Sequence, residues 1–150
     1  DRQRDEEYTR LLGNKLVESF MRTNTVLSSH LVAFTAFEIL ARKHSRRLDL
    51  YGLLRLPEED RTIPYTQYAK VTEHVRDALR QMADHGKVQL ANHMYGDINR
   101  LIKHGLSNLG VYHTQQPLAF DPDGNITSQD MNLLYFYHNR LTGYNLEQLI

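Results

Sequence analysis

No cysteine occurs in the 150 residues, so the chain carries no disulfide framework, no thiol nucleophile and no thiolate metal ligand. The same absence fits a reducing compartment. An excess of charge of one sign is missing too, because 18 basic and 18 acidic residues cancel. That excludes a long-range field drawing in nucleic acid or anionic lipid, so any such contact must come from a local patch. Long hydrophobic runs are also absent. The most apolar stretch, Leu31–Leu40, is interrupted by Thr35 and Glu38. It has half the roughly 20 residues that a membrane-spanning helix needs. There is no internal repeat and no low-complexity tract.

What is present is the makeup of one globular domain, residues 1–150, with 41% hydrophobic and 24% charged residues. A chain of this length buries about 70% of its surface on folding. It opens on Asp1 rather than Met and is read as a piece of a longer protein, with further function upstream.

Apolar residues at Tyr8, Leu12, Leu16, Val17, Phe20 and Met21 predict a helix over Asp5–Met21, with Asp5, Glu6 and Glu7 suited to the positive end of its dipole. Ser28 or Ser29 is placed to cap the next helix, which should bury Leu31, Phe34, Phe37 and Leu40 and pack against the first. That helix ends in the cationic run Arg42-Lys-His-Ser-Arg-Arg47, and Asp49 caps a short helix through Leu54. The segment Pro57–Pro64, polar and bounded by prolines, reads as a loop. Tyr68, Val71, Val75, Leu79 and Met82 define an amphipathic helix that Gly86 stops. Val88–Leu90 suits a short strand, and Asp97 caps a helix that ends at Gly110. Residues 111–127 read as a β-hairpin: Val111–Thr114 and Pro117–Phe120 extended, a turn at Asp121-Pro-Asp-Gly-Asn125, and a strand from Ile126. Ser128 or Asp130 starts a last helix around Leu133–Leu141. The fold class is mainly α, a helical domain with a small β-hairpin, in an order that resembles a winged helix.

Few residues invite a chemical role. His44 and Asp49 stand at H-x4-D, the spacing at which glycerolipid acyltransferases place a general base and its orienting carboxylate. That motif carries serine two places after the histidine, where this chain has Arg46, and no acid-glycine-arginine phosphate motif follows. A helix end at His44 and a helix cap at Asp49 explain both residues, so the match is read as a decoy. Asp121–Asn125 resembles the start of a calcium loop, but the sixth and twelfth places hold Ile126 and Asn132 instead of glycine and glutamate. None of the eight histidines falls in a metal-ligand spacing. The helix through Arg100, Lys103 and His104 has the character of a recognition helix, but its wing would carry Asp121 and Asp123. Tyr135–Leu141 reads as a buried helix or an interface, with a lipid-facing role as the alternative. No catalytic residue, cofactor site or metal ligand is assigned.

The order of the blocks carries a resemblance. Leu16-Val-Glu-Ser-Phe-Met-Arg-Thr-Asn24 leads into Thr25-Val-Leu-Ser-Ser-His-Leu-Val-Ala33, and Leu134-Tyr-Phe-Tyr-His-Asn139 lies near the end. This resembles the region just beyond the catalytic core of the glycerol-3-phosphate and dihydroxyacetone-phosphate acyltransferases of membrane lipid synthesis. That family has a Thr-Val turn, a Leu-Val-Ala helix and a closing Tyr-Arg-Asn-Asn-x-x-His segment. Tyr137 and Asn139 match the closing segment, while His138, Arg140 and Gly143 replace its arginine, second asparagine and histidine. The resemblance implies a parent enzyme that acylates the sn-1 hydroxyl of a glycerol phosphate from acyl-CoA or acyl-carrier protein. Its catalytic histidine and aspartate would lie upstream of Asp1. This domain would brace the catalytic core, its partner, or help dock it at the cytoplasmic face of a membrane. The chain alone is expected to be inactive and to bind no nucleic acid. The rival expectation is a winged-helix-like binding module with no enzymatic role.

Overall fold

The computed structural model describes residues 1–10 and 25–150 of the chain. Residues 2–10 are helical (α1) and exposed throughout. Tyr8, expected on a buried stripe, is 69% exposed. The rest of that stripe, Leu12 to Met21, lies outside the described residues, and with it the expected packing of the next helix against Asp5–Met21.

The element order continues with β1 (Thr25–Val26), α2 (Ser28–His44), α3 (Leu50–Leu53), β2 (Thr62–Ile63), α4 (Tyr65–Asp84), β3 (Gln89–Leu90), α5 (Ile98–Gly110), β4 (Ala119–Phe120), β5 (Ile126–Thr127) and α6 (Met131–His138). Everything else gathers round α2. Its residues from Leu31 to Phe37 are all buried, because α6, α5 and α4 each cover a different side. A helix apolar on all sides has no single wet face, and such a helix belongs in a core. Val32, Ala33, Ala36, Phe37, Ile39 and Leu40 enter one apolar cluster with α6, β2 and β5. Leu31 and Phe34 enter a second with Val75, Leu79 and Leu101 of α4 and α5. Phe34 and Phe37 are therefore tertiary core residues, as their spacing predicts. The polar groups caught inside are satisfied locally. Thr35 Oγ1 donates to the Leu31 carbonyl at 2.9 Å, and the Tyr68 hydroxyl crosses from α4 to the Val32 carbonyl at 2.8 Å.

The three-stranded sheet has the order β2-β5-β4, antiparallel throughout, with Ile63 opposite Ile126 and Ala119 opposite Thr127. Helix α2, strand β2, helices α4 and α5, then a hairpin whose second strand pairs with β2, is the order of a winged helix, with α5 as its third helix. Outside that frame lie α1, the short α3 inserted between α2 and β2, α6 packed along α2, and a separate parallel pair of β1 with β3.

Several local expectations require correction. The Pro57–Pro64 segment is not wholly loop: Glu58–Asp60 forms a 3-10 turn and Thr62–Ile63 is the third strand of the sheet. Residues 111–114 turn rather than extend, so the hairpin narrows to Ala119–Thr127. Helix α5 does end at Gly110 as expected, with right-handed Val111 as its C-cap and no left-handed glycine at that end. Gly86 does adopt a positive φ, of 74°, just after α4. Neither serine is the N-cap of α2; Leu27 holds that place. Asp49, Asp97 and Asp130 cap α3, α5 and α6 through Gly52, Arg100 and Leu133 N–H groups.

Candidate functional site

His44 and Asp49 meet the fold as separate helix-end residues. His44 closes α2, and its Nε2 is buried without a hydrogen-bond partner. The Asp49 carboxylate accepts from the Gly52 N–H at 2.9 Å, which starts α3. No hydrogen bond joins the two side chains, so the imidazole has no carboxylate to fix its tautomer.

A polar cluster lies instead at the start of α2, where three histidines converge, two on the backbone and one on the Ser28 hydroxyl. The Leu27 N–H donates to His30 Nδ1 at 3.1 Å, and the Ser28 N–H donates to His93 Nε2 at 3.0 Å. Two of the unpaired donors at the helix start are thereby satisfied. Ser28 Oγ lies 2.8 Å from His104 Nδ1, and the His93 and His104 rings approach to 4.2 Å between centroids. Burial first, and the Arg140 charge second, lower the His30 pKa from 6.5 to about 4. Burial and then His104 lower His93 in the same direction.

A serine hydroxyl bonded to an imidazole is the start of a nucleophile–base arrangement. Two features hold this pair to a structural role. Ser28 is fully buried under α5, and the His104 ring has the Asn108 amide beside it instead of a carboxylate. The Ser28 carbonyl is also where α5 comes closest, since a Cβ on Gly105 would stand 2.8 Å from it. The cluster locks α5 and the segment before it onto the start of α2. Among the described residues no group of three or more histidine, cysteine, aspartate or glutamate side chains could hold a metal ion.

The interface of α2 with α6 holds a second polar pair, a buried histidine with a half-buried glutamate. His138 Nε2 donates to Glu38 Oε1 at 2.7 Å. The imidazole lies parallel to Phe34 and tilted against Phe37, with ring centroids 5.5 and 4.4 Å away, and stacks on Tyr135. Its Nδ1 is buried with no partner. Thus the tract Tyr135–Leu141 is partly core and partly surface: His138 and Leu141 are buried, while Phe136 is 67% exposed. The Arg140 guanidinium reaches the Thr25 carbonyl at 3.4 Å, tying the end of this tract to β1.

The outward face of α5 presents Arg100, Lys103 and His104 to solvent. The hairpin tip beside it is built by acid: Asp121 Oδ1 accepts from the Asp123 and Asn125 N–H groups, both at 2.9 Å. Sequence reasoning found the basic and acidic residues of these surfaces. It missed the histidine cluster, because His30, His93 and His104 share no spacing and meet only through the packing of α5 on α2. Comparison with family models, curated proteins and solved structures gives no match for the chain.

Proposed function

We propose that this chain is the non-catalytic C-terminal domain of a glycerol-3-phosphate or dihydroxyacetone-phosphate sn-1 acyltransferase of phospholipid synthesis. Its role is to brace the catalytic core that precedes it, at the cytoplasmic face of a membrane. The observation that carries the reading is the meeting of the two segments that resemble the family. Thr25–Ala33 supplies β1 and the start of α2, and Leu134–Asn139 lies in and just beyond α6. The helices pack together through Phe34, Phe37 and His138, and Arg140 reaches back to Thr25. The elements that carry the two motifs, a hundred residues apart, thus pack on each other as a brace requires, through residues that flank the motifs (Phe34, Phe37, Arg140) and through His138, where the chain departs from the family pattern. Acyl-CoA or acyl-carrier protein would be the donor for the upstream core. No helix among the described residues is long and apolar enough to cross a membrane.

The test uses the longer gene product. The coding region before Asp1 should specify His-x-Ser-x-x-Asp. Acyl transfer from long-chain acyl-CoA to glycerol-3-phosphate should fall at least about tenfold when residues 25–150 are removed, a loss of about 1.4 kcal/mol in transition-state stabilisation. Residues 1–150 alone should give background turnover. A robust rate from this chain alone, abolished by His44→Ala, would overturn the reading, as would an upstream sequence without the motif.

One observation favours a second reading. The strand order β2-β5-β4, with α5 following α2 and α4 just before the hairpin, suits a winged-helix binding module without enzymatic activity. The acidic tip at Asp121 and Asp123 would repel a phosphate backbone, so such a module would bind protein.

A further inference from the structure

Arg42, Lys43, Arg46 and Arg47 place four cations and no acid within six residues of a chain whose net charge is zero. The helix dipole accounts for part of this run. Arg42 and Lys43 lie in the last turn of α2, where the exposed carbonyl ends carry about half a negative charge. Arg46 and Arg47 follow the C-cap Ser45 and lie beyond that turn. The side chains of Lys43, Arg46 and Arg47 form no ion pair or hydrogen bond with any described residue. The nearest acid in sequence, Asp49, is engaged by the Gly52 N–H. Four like charges within six residues repel one another unless an anion joins them.

Two cavities meet at this turn. One, of about 370 Å³, is walled by residues 42–47 alone, including the half-buried His44 whose Nε2 has no partner. The other is a groove of about 470 Å³ between the end of α2, β2 and the start of α4. Its walls are Ile39, Ile63, Pro64, Val71 and Ile150, with Gln67 also lining it. Arg42 and Lys43 line both cavities, and the Arg42 guanidinium donates to the Ile150 carbonyl, which holds it at the junction. Pockets of this size and mixed character, an apolar trough with a few polar groups at one end, are the usual form of small-molecule sites.

We propose that the basic turn and the groove form one site for an anionic amphiphile, a phosphate head carrying a single alkyl tail. The cations of the turn neutralise the phosphate, and charge-assisted hydrogen bonds from Arg46 and Arg47 fix its orientation. The tail lies against Pro64, Val71 and Ile150, the apolar groups of the groove that reach its surface. That wall contains no aromatic ring on which a nucleobase could stack, which separates this site from a single-stranded nucleic-acid groove. The assignment does not rest on the acyltransferase reading, because it uses only the charges and cavities of this chain.

Calorimetric titration of the whole chain with monomeric dodecyl phosphate, kept below its micelle concentration at physiological ionic strength, tests the site. Saturable one-to-one binding is expected. Both halves of the ligand should count, so inorganic phosphate and dodecyl maltoside should each bind at least about tenfold more weakly. The double variant Arg46→Gln/Arg47→Gln removes two exposed cations and should cost about tenfold or more in affinity with unchanged melting. Gln67→Trp places an indole at the groove from an exposed position and should weaken binding by a similar factor. Equal affinity for inorganic phosphate would reduce the site to a bare anion patch, and equal affinity for dodecyl maltoside to an apolar groove. Binding to mixed phosphatidylcholine–phosphatidylserine vesicles without binding of the monomer would make the turn a bilayer-docking surface instead. Any of these results, or undiminished binding by both variants, would overturn the proposal.

Discussion

An imidazole accepts a hydrogen bond only through an unprotonated nitrogen, and the start of α2 depends on two such acceptors, His30 Nδ1 and His93 Nε2. Protonating either ring breaks a cap and puts positive charge at the positive end of the helix dipole. Burial, with Arg140 beside it, already holds His30 at about 4. An unfolded histidine titrates near 6.5, so below that pH the unfolded chain binds more protons than the folded one. The stabilisation from His30 is thus complete above about pH 6.5 and is lost as pH falls from there through 4. His93, lowered in the same direction, adds to the loss. Discounted for the part of His30 that reaches solvent, the effect is about 2 kcal/mol. Urea denaturation at a series of pH values should show the decline. His30→Gln keeps an acceptor for the Leu27 N–H without titrating in this range, as the reciprocal half of a capping box, and should flatten the curve. An unchanged slope in that variant would contradict the capping role. The sequence suggested Ser28 or Ser29 for this cap because serine is the commoner capping residue. The rings that do the work include one that comes from 65 residues away, which no local pattern encodes.

Among the elements, α2, α4 and α5 were legible because their apolar residues recur at the helical period, with glycine or acid at the ends of α4 and α5 and a basic run at the end of α2. The strand β2 was not: two residues are too few to display alternation, and Thr62–Ile63 becomes a strand only by pairing with Ile126–Thr127. The close approach of α5 to α2 was equally hidden, since a glycine within a helix reads as a weakness. Replacing Gly105 by alanine tests which view holds. On helix propensity alone the change should stabilise by about 1 kcal/mol. In this fold the added Cβ would stand 2.8 Å from both the Ser28 carbonyl oxygen and Val32 Cγ1. The carbonyl belongs to the backbone of the central helix and cannot swing aside as a side-chain tip can. The overpacking should therefore dominate, and Gly105→Ala should lose about 1–3 kcal/mol in the same urea assay. Ser107→Ala, on the exposed side of α5, should be neutral or slightly stabilising, so a gain in both variants would refute the tight contact.

Over the whole molecule, charge is arranged rather than accumulated. The basic turn at 42–47 could be read directly from the sequence, whereas its groove could not, because Ile39, Ile63 and Val71 come from three separate elements. The winged-helix order raises the question of duplex DNA, and electrostatics sets the expectation. Nonspecific DNA affinity comes from cations that displace counterions along the phosphates, and it requires a coherent positive surface. On this frame α5 presents Arg100 and Lys103, but the hairpin tip that would flank the backbone carries Asp121 and Asp123, with the chain neutral overall. Two cations opposed by two carboxylates leave no net attraction on that face. Fluorescence anisotropy with a labelled duplex at physiological salt should therefore show no saturation across the ~10⁻⁶–10⁻⁴ M range of ordinary nonspecific binding. The useful contrast lies between variants. Micromolar binding that weakens steeply with salt and disappears in Arg100→Gln/Lys103→Gln would make α5 a true recognition helix. Binding lost instead in Arg46→Gln/Arg47→Gln would trace the contact to the basic turn, and the acidic wing would then be irrelevant to it.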